Sequence, residues 1–242
     1  LESFHLAPTP TFYYRIGGLL LKKELLFVEK QDQLLVRYTL QEGTGRVKLL
    51  IYPLLAFRNA HTLTVENMEL NTNYTALRDG AVVFKMYAEF PELVFHVNRL
   101  SEYIHAPDWN RGVFYAQEAA RGYPSVEDLW MPGTFEVEFS EGESVILSVS
   151  TLRTLGKDLE RKFEKELASR PPRIDFETTL KASAGQFIAN RGRSIWINAG
   201  YPWFGRWGRD TMISLPGLTL SFGDYESFRT IFMGLLREAR DG

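Results

Sequence analysis

The chain has 242 residues, room for one large domain or two modest ones, and its 45% hydrophobic and 24% charged residues make an ordinary globular balance. A net charge of −2 provides no basic footprint for nucleic acid or an anionic membrane, and no apolar run approaches the ~20 residues of a membrane span. Without cysteine there are no disulfides and no thiolate metal sites, and the composition is compatible with a reducing compartment, so a cytoplasmic location is expected.

The start, Leu1-Glu2-Ser3-Phe4, is not a signal peptide and reads as the middle of a longer sequence. Gly17-Gly18 after Ile16 marks a bulge or turn. Residues 1 to about 155 read as strands, among them Leu25–Val28, Leu34–Leu40, Val47–Tyr52, Val82–Tyr87 and Leu93–Val97. The last pair, Phe135–Phe139 and Val145–Val149, is split by the turn Ser140-Glu141-Gly142-Glu143. Phe135, Val137 and Phe139 alternate with glutamates, the period of a half-buried strand. Many short strands with Gly and Asp turns predict an antiparallel β-sandwich over 1–155, one that lacks its N-terminal strands.

After Gly156 the period changes. Leu159, Phe163 and Leu167 fall at i, i+4 and i+8 with Lys and Glu between them, so an amphipathic helix is expected, stopped by Pro171-Pro172. It reads as a connector over 156–172. A second helix is expected from Ile174 to Ala189, with Phe176, Leu180, Ala184 and Phe187 inward. Thr211 to Phe222 is apolar around Pro216, a helix that is kinked or starts late. Gly223-Asp224 caps a last helix with Tyr225, Phe228, Phe232 and Leu235 inward. Helices with this spacing need further helices to cover them.

Trp and Tyr gather late, at Trp196, Tyr201, Trp203 and Trp207 with Phe204 among them, and function is expected there. Gly205 and Gly208 are expected to let the backbone turn sharply. Asp210 falls at the edge of the following helix. It reads either as an N-cap or as the acid of glycoside hydrolysis, which needs a carboxylic acid for the leaving oxygen and a second carboxylate to activate water. Sugars lie against flat aromatic faces while planar charged groups hold their hydroxyls. Tyr201, Trp203, Phe204, Arg206, Trp207 and Arg209 have that composition and form the candidate substrate-binding set. A single-strand stacking platform has a similar composition, but the mildly acidic chain argues against it.

Tyr201-Pro202-Trp203-Phe204, then Trp207-Gly208-Arg209-Asp210-Thr211 and Leu215-Pro216-Gly217-Leu218, resembles the signature of the amylo-α-1,6-glucosidase (glycogen debranching enzyme) family. Pro53 to Thr64, Glu118 to Gly122 and Glu127 to Gly133 resemble segments of the family's N-terminal sandwich. The resemblance implies a sandwich followed by the first helices of an incomplete (α/α)6 barrel over 173–242. It implies inverting hydrolysis of α-1,6-linked glucose stubs in glycogen or limit dextrin. Asp210 takes the role of general acid, and Trp203, Trp207 and Arg209 line the terminal-glucose site. The base is expected on a later helix outside this chain, so the segment alone is expected to be inactive. A glucoamylase- or trehalase-like hydrolase of the same fold, and a non-catalytic glucan-binding sandwich, are the competing readings.

Arg58 and His61 follow a strand and are read either as substrate contacts or as a solvated turn. Glu118, Arg121, Glu127 and Asp128 read as a salt-bridged loop. His96, inside an apolar strand, is expected to be a satisfied core residue. No metal-ligand spacing, phosphate loop or dinucleotide fingerprint occurs, so no metal or cofactor is expected.

Overall fold

The computed structural model describes residues 1–153, 158–192 and 194–241, which fall into two compact units, Leu1–Arg170 and Pro171–Gly242. Gly156, where the first helix was expected to begin, lies outside the described residues.

The first unit is rich in antiparallel sheet. Its strands are β1 (Ser3–His5), β2 (Thr11–Ile16), β3 (Leu19–Phe27), β4 (Gln33–Glu42), β5 (Arg46–Ile51), β6 (Tyr74–Ala76), β7 (Val82–Phe84), β8 (Leu93–Val97) and β9 (Ser101–Phe114). The short helix α1 (Ala116–Ala120) and strands β10 (Val126–Ser140) and β11 (Ser144–Ser150) complete it before helix α2 (Leu159–Ala168). Eight strands form one sheet in the order β1-β2-β3-β4-β11-β8-β7-β6, and β5-β10-β9 form a second.

Alternation decides what each strand buries. Val36 and Leu40 of β4, and Val145 and Leu147 of β11, share a core with Ile51, Trp130, Phe135, Val137 and Phe139 of the smaller sheet. The two sheets therefore pack face to face, as in a sandwich. Phe84 meets Trp130 edge-on at 5.5 Å, and Phe95 stacks on Phe135 at 5.5 Å. The intervening residues Leu35 and Ile146 point to the other face of the large sheet, where α2 covers them with Leu159 and Phe163. Arg37 spans this junction: its guanidinium lies 4.0 Å over the Phe163 ring and pairs with Glu24 and Glu164. The periodic stripe expected of a connector thus serves the first unit's own core.

Of the strands that the sequence reading did not mark, three lacked a clear signal for physical reasons. The strands β1 and β6 have three residues each. In β9, Pro107 and Gly112 argue against a strand, and the structure accommodates them because β9 is the edge of its sheet. The Gly133 backbone (φ 149°) sits at a register shift, where an added Cβ would lie 2.1 Å from the Ile104 carbonyl oxygen. His96 departs from expectation: its Nδ1 is buried with no hydrogen-bond partner among the described residues.

The second unit runs through α3 (Phe176–Phe187), β12 (Ile188–Arg191), β13 (Ser194–Gly200), β14 (Phe204–Arg206), α4 (Gly208–Leu218), a 3-10 turn (Leu220–Phe222) and α5 (Tyr225–Asp241). Asp175 caps α3, accepting from the Thr178 amide at 2.8 Å in a reciprocal capping box. The helix ends two residues before the expected Ala189 because Ile188–Arg191 pairs with β13 instead. Ala182 and Ala184 are its buried side chains, whereas Phe176 and Leu180, expected inward, are exposed. In α5 Ile231 is buried with Ile197 and Leu215, flanked by Phe228 and Phe232, and Tyr225 is exposed rather than inward. Asp224 caps α5 through the Ser227 amide at 3.0 Å, as expected. Pro216 lies inside α4, which starts at Gly208 rather than late. Among the described residues, no helix is long and apolar enough to cross a membrane.

Candidate functional site

The aromatic-rich segment folds as a hairpin followed by a helix. Strands β13 and β14 are antiparallel, with Asn198 opposite Arg206 and Gly200 opposite Phe204, so Tyr201-Pro202-Trp203 is the connecting turn. Gly205 therefore lies in a strand and Gly208 opens a helix. Neither has a positive φ, which corrects the expectation that they make the sharp turn. The rings of Tyr201, Trp203, Phe204 and Trp207 are all about half exposed. Phe204 meets Trp207 edge-on at 5.9 Å, and Tyr201 lies 6.3 Å from Phe187 of α3.

Asp210 is the third residue of α4. The N-cap position belongs to Trp207, with no side-chain capping bond, so the carboxylate is not spent on starting the helix. Its backbone carbonyl accepts from the Ser214 hydroxyl at 2.7 Å. The side chain keeps 39% of its surface open, yet Oδ2 is buried without a hydrogen-bond partner among the described residues. Its nearest charged neighbour is the Arg209 Nε at 3.7 Å, on a side chain that is itself mostly exposed. The adjacent Thr211 hydroxyl is also buried without a partner. An acceptor oxygen left bare in this way costs free energy unless something else satisfies it.

The remaining expected site residues are placed differently. Arg206 points its Nη1 at Glu238 of α5 and is engaged in that ion pair. Arg58 and His61 belong to the first unit. The Arg58 guanidinium forms a two-pronged pair with Glu127, whose side chain is fully buried. Glu127 also accepts from the Tyr115 hydroxyl at 2.7 Å and the Thr64 amide at 2.9 Å. Burial alone would raise the Glu127 pKa, but Arg58, Tyr115 and the Thr64 amide outweigh it and hold the carboxyl at about 2. Asp128 accepts from the Glu66 and Gly112 amides at 3.0 and 2.9 Å. The charged stretch is thus structural, as expected, although its main partner, Arg58, lies in a different segment. His61 is exposed, with its backbone N–H donating to the Asn59 side chain at 2.9 Å.

Two residues that the sequence offered no reason to connect also meet here. The Trp196 indole N–H donates to Asn198 Oδ1 at 2.8 Å. Their i, i+2 spacing on β13 is the only local signal of it.

Residues 1–146 match the family described as Glycogen debranching enzyme N terminal, and residues 182–242 match the one described as Amylo-alpha-1,6-glucosidase. No curated protein matches the chain.

Proposed function

The chain belongs to the glycogen debranching enzyme family, and from that premise we propose that it releases α-1,6-linked glucose from branch stubs of glycogen-like α-glucans by inverting hydrolysis. The family gives the coarse class, a debranching-type glycoside hydrolase acting on glucan. The observation that carries the finer reading is the bare carboxylate of Asp210 in the first turn of α4, next to a turn bearing exposed rings.

In this reading a terminal glucose lies against Tyr201, Trp203, Phe204 and Trp207, with Arg209 holding hydroxyls. Asp210 protonates the glycosidic oxygen as it leaves. A second carboxylate, about 6.5–9.5 Å away, activates the attacking water from the opposite face of the sugar. Arg206 is omitted from the contact set because its guanidinium is paired with Glu238. Arg58 is assigned a structural part because Glu127 occupies it. Helices α3, α4 and α5 are read as the first helices of an (α/α)6 barrel. The exposed apolar side chains of Phe176, Leu180 and Ile213 support that reading, because they suit the faces of helices that pack against others.

The overall reading is tested by following panose hydrolysis by NMR in the protein that carries this chain. Inverting debranching releases β-glucose first. Initial α-glucose contradicts inversion, and preference for an α-1,4 or α,α-1,1 linkage moves the assignment to a glucoamylase- or trehalase-like enzyme.

A further inference from the structure

The three-stranded sheet of the second unit has two unlike faces. Ile195 and Ile197 of β13 point into the core with Leu215 and Ile231. Trp196, Asn198 and Gly200 alternate onto the other face. The register adds Phe204, opposite Gly200, to that face. The Phe204 ring lies close over Gly200, where an added Cβ would stand 3.4 Å from it. The face that continues into the Tyr201–Trp203 turn thus carries the Trp196 and Phe204 rings, with the Asn198 carboxamide between them and Arg206, turned toward Glu238, opposite Asn198.

That carboxamide has a fixed orientation. An indole N–H can only donate, so the Asn198 atom 2.8 Å from it must be the oxygen. The amide cannot flip without losing this bond, and its NH2 group is directed away from Trp196. Asn198 is half-buried, and its Nδ2 donates to no acceptor among the described residues, although it is not sealed from solvent. A pair of oriented N–H donors beside a partly exposed ring suits a sugar, which presents a C–H face to the ring and hydroxyl oxygens at its rim.

We infer that Asn198 is a glucan-contacting residue whose NH2 group donates to a hydroxyl of the bound sugar, with Trp196 acting as the positioning residue that fixes the amide. This contact rests on the glucan reading of the hairpin but not on the role of Asp210. Asn198→Asp separates it from a purely structural part. The aspartate keeps an acceptor for the Trp196 N–H and keeps the shape, but it replaces the two donors with a second acceptor. Trp196→Phe keeps a ring and frees the amide to rotate.

The test is calorimetric titration of the 242-residue chain with panose, with unfolding curves for each variant. Loss of one oriented hydrogen bond predicts about tenfold weaker binding for Asn198→Asp and a smaller loss, about threefold, for Trp196→Phe. Both variants should keep the wild-type melting temperature within a few degrees. Wild-type affinity in Asn198→Asp overturns this contact alone. Absence of panose binding by the unmodified chain overturns the glucan reading of the hairpin and this contact with it.

Discussion

Arg58 and Glu127 are 69 positions apart, and their side chains form a two-pronged ion pair in which the carboxylate is wholly shielded from solvent. Three backbone bonds also bind the same segments: Leu55 and Trp130 exchange hydrogen bonds at 2.8 and 3.1 Å, and the Asp128 amide donates to the Thr64 carbonyl at 2.9 Å. The loop from Pro53 to Thr64 and the start of β10 are therefore one structural unit.

The pair has a pH signature. The Glu127 carboxyl titrates at about 2 when folded, against an ordinary 4.5. Its stabilisation is therefore complete above about pH 4.5 and disappears as pH falls toward 2. Glu127→Gln should destabilise the first unit at pH 7 by about 3 kcal/mol, since it leaves Arg58 without its partner. The same change should flatten the stability curve between pH 4.5 and 2. Denaturant titrations at several pH values check this, and parallel curves for wild type and variant would refute it.

Gly133→Ala should be among the most damaging single changes. The new Cβ meets a backbone oxygen, Ile104 O, at 2.1 Å, and the φ of 149° disfavours any side chain. A loss on the order of 3 kcal/mol or failure to fold is expected. Near-native thermal stability in this variant would mean that the bulge is not held as described.

Phe163→Ala removes the side chain by which α2 closes the outer face of the large sheet, together with the platform beneath Arg37. The expected cost is about 3–5 kcal/mol, read from chemical unfolding. Deuterium uptake should rise along α2 and β4. A helix that only links two domains would lose far less than this.

Arg206 was a candidate sugar contact, and its pairing with Glu238 makes a different prediction. The pair is partly exposed, so Arg206→Ala should cost at most about 1 kcal/mol of stability. It should also leave panose affinity within about threefold of the unmodified chain. A tenfold or greater loss of affinity would return Arg206 to the sugar site.

The strands with strong alternation were legible in the sequence. Phe135, Val137 and Phe139 bury as their period requires, and the antiparallel, sheet-rich character followed from such runs. The long edge strand β9 was hidden because an edge tolerates the Pro and Gly that would break a central strand. The inward face of α3 was read only in part: Ala184 is buried as expected, but the period marks apolar side chains without saying what meets them. The small side chains of Ala182 and Ala184 do the packing, and Phe176 and Leu180 stay open. At the candidate site, the residue types could be read off, but their commitments could not. Whether an arginine is free or taken depends on partners such as Glu127 and Glu238, which are remote in sequence. The Trp196–Asn198 bond needed the strand to be placed before its i, i+2 spacing had meaning.

The central claim is that Asp210 delivers a proton to the leaving oxygen. It is tested most directly by comparing Asp210→Asn with wild type on two substrates, panose and α-glucosyl fluoride, in the protein that carries this chain. Fluoride departs without protonation. A general acid therefore predicts a loss of about 10²-fold or more on panose, with fluoride hydrolysis kept within about tenfold. Equal losses on both substrates would make Asp210 a holder of sugar hydroxyls, and a loss of less than tenfold on panose would remove it from the chemistry.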